Sequence, residues 1–132
     1  MIISLSISTS KQSEFLDITR EVEKATSDAR VSNGLALVFV PHTTAGITIN
    51  EGADVSVQED ILGVLNQLIP FKGAYRHREG NSAAHIKTSL MGSSVTVMIE
   101  AGRLILGTWQ SIFLCEFDGP RTRKVLIKII PW

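Results

Sequence analysis

The only three histidines of the chain, His42, His77 and His85, lie in two polar segments. His42 directly follows an apolar run and Pro41, whereas His77 and His85 lie in a turn-rich stretch that builds no core. An imidazole can bind a metal ion, transfer a proton or donate a hydrogen bond to a phosphate oxygen. A lone histidine is more often structural, but three confined to two polar segments indicate one small-molecule site.

Carboxylates accompany these histidines along the sequence. Glu51 and Asp54 follow the segment that contains His42, and Glu79 lies in the segment that contains His77. Because the strand after His42 is expected to return from its loop, we expect Glu51 and Asp54 to orient the imidazole rings or to act as a general base. The alternative for Asp54 is to cap the helix that follows it.

Two kinds of site would use these residues. In the first, His42, His77 and His85 bind a divalent ion such as zinc or magnesium and leave one position open for water or substrate. In the second, which contains no metal, the histidines act as acid or base and as donors to phosphate. The spacing decides neither, because the sequence contains no His-Glu-x-x-His and no Cys-x-x-Cys. Of the two, we favour the metal site.

Further side chains offer a substrate a hydroxyl, an amide, a cation or a flat ring; these are Thr43, Thr44, Asn81, Lys87, Trp109 and Arg121. Each has a structural alternative. The two threonines would cap backbone groups equally well, and Trp109 would otherwise be a core residue of a strand. Arg121 is either a phosphate clamp or a solvated arginine.

The first half of the sequence predicts strands interrupted by two helices. Residues 2–8 alternate apolar residues with serine, and 14–18 predict a short partner strand. A helix is expected from Ile18 to about residue 29, stopped by Asn33-Gly34, and a central strand over 34–40. The second helix is expected over 57–69, with a capping box that starts at Ser56.

The second half predicts strands separated by turns, over 86–90, 94–100, 104–109, 112–117 and 124–130. Consecutive strands would pair antiparallel as hairpins or a meander. The expected fold is therefore α+β, with a large, mostly antiparallel sheet or sandwich, two main helices packed on it and a single domain over residues 1–132.

Composition excludes several classes of function. Thirteen basic residues balance thirteen acidic ones, so no overall charge favours nucleic acid or an anionic membrane. Cys115 is the only cysteine, and residues 1–10 alternate like a strand and lack a signal peptide's basic start, so we expect a cytoplasmic protein that spans no membrane. A P-loop, a Gly-x-Gly-x-x-Gly fingerprint and a Gly-x-Ser-x-Gly elbow are absent.

Several ordered motifs resemble those of the YjbQ family, also called the secondary thiamine-phosphate synthase enzyme family. They are Pro41-His42-Thr43-Thr44-Ala45-Gly46, Asn50-Glu51, Asp54, Tyr75-Arg76-His77, Glu79-Gly80-Asn81, Ala84-His85, Gly107-Thr108-Trp109-Gln110 and Glu116-Phe117-Asp118-Gly119-Pro120-Arg121. The resemblance covers nearly the whole chain, and no block of the pattern is missing.

The resemblance implies an α+β fold with a large sheet, a homotrimer and a site that includes the motif histidines near a subunit boundary. It also implies weak thiamine-phosphate synthase activity, in which a pyrimidine diphosphate is joined to a thiazole phosphate and pyrophosphate is released. Arg76, Lys87 and Arg121 are the expected donors to that phosphate chemistry, and Trp109 or Tyr75 would stack on a ring. The alternatives are a metal-assisted hydrolase and a noncatalytic module that binds a metal or a metabolite.

Overall fold

The computed structural model describes all 132 residues, which form eight strands and three helices. The strands are β1 (Ile2–Ser8), β2 (Glu14–Asp17), β3 (Gly34–Phe39), β4 (Ala45–Glu51), β5 (Ser94–Glu100), β6 (Arg103–Leu104), β7 (Gln110–Glu116) and β8 (Thr122–Pro131). The helices are α1 (Thr19–Ala29), α2 (Val55–Leu68) and α3 (Ser82–Met91). None of the helices is long and apolar enough to cross a membrane.

The strands form two antiparallel sheets. Sheet A has the order β1-β8-β3-β5-β6, and sheet B has the order β2-β7-β4. Strand β3 is central in sheet A, where it pairs with both β5 and β8, and β7 is central in sheet B. The α+β fold with mostly antiparallel sheets is confirmed, and the third helix is an addition to the two that the sequence predicted.

Strand β7 is buried on both faces, which divides the apolar interior into two clusters. Ile112 and Leu114 belong to a larger core that also contains residues of sheet A and of α1. Phe113 and Cys115, which point the other way, pack with Leu65 of α2 and other residues of the smaller core. Helices α2 and α3 are thereby held against the face of sheet B that α1 does not cover.

Helix α3 occupies the place of the strand predicted over 86–90, and that prediction was wrong. The buried positions of this segment include Ala84 and Thr88, which are spaced by four residues and share one helical face. The apolar residues that suggested a strand, Ile86 and Leu90, are also spaced by four and are exposed. The core-facing side of this helix is made of small and polar residues, so its hydrophobic pattern is weak.

Strand pairing also differs from the prediction of hairpins. Among strands that are consecutive in the chain, only β5 and β6 pair with each other. Strand β2 pairs with β7 in the other sheet and makes no ladder with β1. The strand predicted over 104–109 is reduced to Arg103–Leu104, because the chain then turns at Gly107, whose N–H donates to the Gln110 side chain.

Two helix boundaries follow signals other than those predicted. Helix α1 ends at Arg30, which adopts a left-handed conformation with φ 54°, before Asn33-Gly34 is reached. Helix α2 begins after Asp54, whose carboxylate accepts the Ser56 N–H at 3.0 Å. Asp54 therefore caps helix α2, as in the structural alternative considered for it. The predicted capping box that starts at Ser56 does not form the start of the helix.

Gly34 is required by the close approach of β3 to β8. A Cβ at this position would overlap the carbonyl oxygen of Ile130 and lie 3.0 Å from the Cα of Pro131. We expect Gly34→Ala to lower the free energy of unfolding by about 2–3 kcal/mol, since the paired backbone cannot move without losing its ladder. Gly63→Ala in α2 is the matched control, because its Cβ would meet nothing within 4 Å.

The control should raise the free energy of unfolding by up to about 1 kcal/mol, as alanine is the better helix former. Urea denaturation of the two variants followed by circular dichroism measures both effects. Equal stabilities of the two variants would contradict the steric argument.

Candidate functional site

His77 and His85 meet in one cavity at the start of α3. Their ring centroids are 5.2 Å apart and the rings meet edge to face at 88°. The cavity measures about 450 Å³ and is lined by Ala74, Tyr75, Arg76, His77, Ser82, His85 and Ile86. Glu79 lies beside it, with a carboxylate oxygen 3.8 Å from Nε2 of His77. The polar stretch and the first turn of α3 thus bring together two imidazoles, a guanidinium and a hydroxyl.

His42 lies in a separate cavity of about 500 Å³, lined by Phe39, Val40, Pro41, His42, Thr43 and Ser93. Its Nε2 accepts the backbone N–H of Lys124 at 2.9 Å. An imidazole nitrogen that accepts a hydrogen bond carries no proton, so the neutral ring of His42 is protonated on Nδ1. The sequence predicted one cavity for all three histidines. Within one chain, however, His42 lies apart from His77 and His85.

Burial lowers the pKa of His42, and the positive charge of Arg123 lowers it further. Arg121 acts in the same direction, whereas the Glu116 carboxylate partly opposes the shift. The hydrogen bond that Nε2 accepts from Lys124 stabilises the neutral ring. The ring is therefore held in its neutral form more firmly than an exposed histidine would be.

Glu51 and Asp54 lie at the opposite end of sheet B from His42. Strand β4 pairs its first residue, Ala45, with Glu116, and its last residue, Glu51, with Gln110. Seven residues of extended chain span roughly 20 Å. The Glu51 carboxylate accepts the N–H of Ala53 in its own turn. Placing Glu51 and Asp54 beside His42 was wrong for a single chain, because the strand leaves the His42 loop and does not return to it.

A divalent ion does not fit the residues of one chain. Catalytic zinc sites take three protein ligands, and no group of three or more His, Cys, Asp and Glu side chains lies close enough together to hold a metal ion. His42 is further excluded as a ligand in this geometry. Binding through Nδ1 would move its proton to Nε2, where it would face the N–H of Lys124.

Four of the other predicted residues lie at the His42 end of sheet B. Thr44 is buried and accepts a hydrogen bond from Arg123 at 2.8 Å, whereas Thr43 is exposed. The Asp118 carboxylate accepts from the Asn81 amide at 2.9 Å and from Arg121 at 3.1 Å. Asn81 immediately precedes α3, so this contact links the turn after β7 to the helix that carries His85.

The remaining two predicted residues lie elsewhere. Lys87 is buried in α3, where its ammonium donates to the Asn66 side chain of α2 at 2.6 Å, and burial lowers its pKa. Trp109 lies at the far end of sheet B beside Gln110 and is 64% exposed, so it is not the core residue of the structural alternative. Its carbonyl accepts the N–H of Gly52.

Comparisons with known proteins agree with the motif pattern. The sequence profile of the family described as UPF0047 protein YjbQ-like matches residues 3–131. This chain belongs to the YjbQ/UPF0047 family. A UPF0047 protein of Methanocaldococcus jannaschii is 52% identical over 98% of this chain and 94% of its own, and UPF0047 protein YugU of Bacillus subtilis is 52% identical over 98% and 99%.

Solved structures extend the match to three dimensions. An uncharacterised YjbQ/UPF0047 protein of Clostridium acetobutylicum superposes with a TM-score of 0.96 at 58% identity, over 97% of this chain and 99% of the other. A YjbQ-like protein of unknown function from Sulfolobus solfataricus also reaches 0.96, at 33% identity over 100% and 97%. The architecture of this YjbQ family member is therefore shared by its relatives.

Two charged residues of this YjbQ-family chain that the sequence patterns did not single out lie beside Thr44. Glu116 and Arg123 form a buried ion pair and are 0% and 2% exposed. The alternation of side chains along the strand could have revealed Arg123. It occupies the same inward-facing side of β8 as Val125 and Ile127. A charged residue on the buried side of a strand indicates a partner, because an unpaired buried charge is very costly.

The lowered pKa of His42 gives a pH dependence to the stability of this family member. In the unfolded chain, the ring takes up a proton near the ordinary histidine pKa of about 6.5. In the folded chain, the ring is still neutral at that pH because its pKa is lower. The contribution of His42 to stability is therefore complete above that pH and is lost as the pH falls through the folded pKa. Urea denaturation from about pH 8 to about pH 5 should display this loss, and His42→Gln should reduce it. An identical pH profile in the variant would contradict the assignment.

Proposed function

We propose that the chain is an enzyme that acts on a small phosphorylated substrate and has weak thiamine-phosphate synthase activity. The observation that carries the proposal is the cavity in which His77, His85 and Arg76 meet at the start of α3. Neutral imidazoles can exchange protons near neutral pH, and a guanidinium pairs with phosphate through fixed parallel donors. The resemblance of the motifs suggests which reaction to test, and the cavity contains the imidazoles and the guanidinium that such a reaction would use.

The amino terminus of α3 adds to the affinity of this cavity for a phosphate. Asn81 stands at the cap position, yet its side chain makes no capping hydrogen bond and donates instead to Asp118. The first N–H groups of the helix are thus left without a side-chain cap, and they carry the positive end of the helix dipole. Ser82 and Arg76 line the cavity beside them. Together these donors favour the binding of a diphosphate at this place.

The proposed step breaks one bond and forms one. The bond between the pyrimidine methylene carbon and the diphosphate oxygen breaks, and its electron pair leaves with pyrophosphate. The ring nitrogen of the thiazole phosphate uses its lone pair to form the new carbon–nitrogen bond. Negative charge grows on the leaving oxygen, and Arg76 and the imidazole N–H groups stabilise it. In this step, magnesium is needed as a counter-ion of the diphosphate substrate.

A zinc or magnesium ion as a resident cofactor is a separate part of the proposal. Because one chain provides only His77 and His85 in one cavity, such an ion needs further ligands from a second copy. Elemental analysis of the untagged protein tests this, with His85→Ala as the comparison. Stoichiometric metal that is lost in the variant is expected for a shared site, and metal-free parent protein would reject it.

We further propose a homotrimer, in which copies complete one another's sites. The motif residues lie at two ends of sheet B, with His42 and Arg121 at one end and Glu51 and Trp109 at the other. A head-to-tail contact between copies joins unlike surfaces and closes into a ring, so it would bring the two ends together. Exposed Trp109 would then provide a flat surface for a pyrimidine or a thiazole ring.

The outer face of sheet A supports association as well. Phe39 and Met98 are 40% and 56% exposed, and Leu35, Leu37 and Leu126 share their face and are half-buried. An apolar face of this kind needs cover. Light scattering across micromolar dilution should give three times the chain mass of 14.4 kDa. Met98→Glu should weaken the assembly if this face is covered by a partner, and a monomeric parent protein would reject the trimer.

The activity is tested by incubating the protein with the pyrimidine diphosphate, the thiazole phosphate and magnesium. Thiamine phosphate and pyrophosphate should appear in equal amounts, and His85→Ala should lose at least about a hundredfold in rate, the scale of one acid–base group or charge donor. Lys24→Ala, in an exposed ion pair of α1, is the control for an unrelated substitution. Circular dichroism confirms that each variant is folded.

The alternatives give different results in the same assay. Phosphate or pyrophosphate released without thiamine phosphate indicates a hydrolase, whereas tight substrate binding without turnover indicates a binding module. No product above a blank rejects the coupling reaction. Equal rates for the folded His85→Ala variant and the parent reject this cavity as its site.

A further inference from the structure

A buried carboxylate organises the turn that joins β7 to β8. The two oxygens of Glu116 accept hydrogen bonds from the Thr9 hydroxyl at 2.8 Å and from the N–H groups of Phe117 and Asp118 at 3.0 and 3.1 Å. Arg123 completes the set, with Nε 2.9 Å from Oε1 and Nη2 in contact with Oε2. Although burial raises the pKa of Glu116, these donors outweigh it and leave the pKa below its ordinary value.

Arg123 extends from this carboxylate to the loop that carries His42. The same Nη2 donates to the hydroxyl of Thr44 at 2.8 Å and to its carbonyl oxygen at 3.2 Å. The next residue of β8, Lys124, donates its backbone N–H to Nε2 of His42. Two adjacent residues of one strand therefore hold the loop at two points, two residues apart.

The hydrogen bond to Lys124 determines the chemistry of His42. A backbone N–H can only donate, so the ring must present a lone pair at Nε2 and keep its proton on Nδ1. Free histidine favours the opposite tautomer. His42 therefore offers its surroundings an N–H donor in place of a basic nitrogen, for as long as the loop stays in register with β8.

We propose that Glu116 and Arg123 are positioning residues that hold His42 in the Nδ1–H tautomer. The pair sets the place of Thr44 relative to β8, and the place of Thr44 sets the register in which His42 meets the N–H of Lys124. His42 then serves as a fixed hydrogen-bond donor to an anionic substrate. This last consequence rests on the proposed function, whereas the tautomer itself does not.

The tautomer is measured directly by long-range proton–nitrogen correlation spectra of ¹⁵N-histidine-labelled protein, well above the ordinary histidine pKa of about 6.5. His42→Gln identifies the His42 signals. We expect the parent protein to show Nδ1 as the protonated nitrogen. Arg123→Lys keeps the positive charge, but a single ammonium cannot reproduce the planar contacts with both Glu116 and Thr44. Its His42 should shift toward the Nε2–H form.

Two further variants make the experiment decisive. Lys124→Ala removes an exposed side chain and keeps the backbone N–H, so its His42 spectrum should equal that of the parent. Thr44→Val keeps the buried ion pair and removes the hydroxyl contact, so it should shift the tautomer even if Arg123→Lys fails to fold. An Nε2–H parent, or an unchanged tautomer in every folded variant of Arg123 and Thr44, overturns the proposal.

Kinetics separate this proposal from the proposed function. If the parent has synthase activity, Arg123→Lys should lower kcat more than it raises KM, because the donor is misplaced and the cavity of His77 and His85 is intact. If the parent has no activity, the proposed reaction fails, and the spectra still decide the tautomer.

Discussion

Arg123→Met is expected to lower the free energy of unfolding by about 3–5 kcal/mol, the typical cost of removing one partner from a buried ion pair. The loss arises because the Glu116 carboxylate stays buried without its counter-charge. Thr9 and two backbone N–H groups still donate to it, but none of them is a cation. Urea denaturation at one protein concentration, followed by circular dichroism, measures the loss.

The control for this prediction is the double variant Glu116→Gln with Arg123→Met. Without either charge, the site has no uncompensated ion, and neutral replacements of buried pairs are often tolerated. The double variant should therefore be more stable than Arg123→Met alone. A double variant that is no more stable than the single one would show that the cost comes from lost packing of the arginine side chain, which both variants lack.

Phe113→Ala is the second substitution with a large expected effect, a loss of about 3–5 kcal/mol. Phe113 is 1% exposed on β7 and packs against Phe15, with ring centroids 5.8 Å apart. It also belongs to the smaller core that holds α2 and α3 against sheet B. Its removal leaves a cavity under both helices, which the surrounding strands are too constrained to close.

Phe71→Ala is the matched control, since Phe71 is 38% exposed and the same atoms are removed. Its loss should be well below that of Phe113→Ala. Circular dichroism is the appropriate probe, because Trp109 and Trp132 are 64% and 71% exposed and their fluorescence would change little on unfolding. Similar losses for the two phenylalanines would contradict the assignment of Phe113 to a packed core.

Sequence patterns predicted the elements whose burial follows the period of their backbone. Strands β3, β5 and β8 and helix α1 bury alternate or helically spaced apolar residues, and each was predicted close to its observed bounds. Helix α3 was not predicted because the residues on its core-facing side are small and polar, while Ile86 and Leu90 face outward. The pairing of strands that are distant in the chain was not predicted, because hydrophobic periodicity does not indicate which strands are partners.

The candidate site was predicted in part for a similar reason. His77 and His85 meet because the polar turn between them is short, and proximity in sequence suffices there. Glu51 was misplaced because β4 carries it to the other end of sheet B from His42, and the local motif does not specify how far the strand extends. The Glu116–Arg123 pair depends on contacts between residues far apart in the chain, including Thr9 and Thr44, and no local pattern specifies them.

The buried position of Cys115 allows thiol labelling to measure how often the fold opens. It is the only thiol of the chain, it is fully buried in β7, and burial raises its pKa. Thiol reagents attack the thiolate, so the folded chain should be inert to them. Every labelled molecule must then have opened around β7, the strand shared by both cores. The labelling rate at increasing reagent concentration therefore separates the frequency of opening from its equilibrium population, in native buffer and without denaturant.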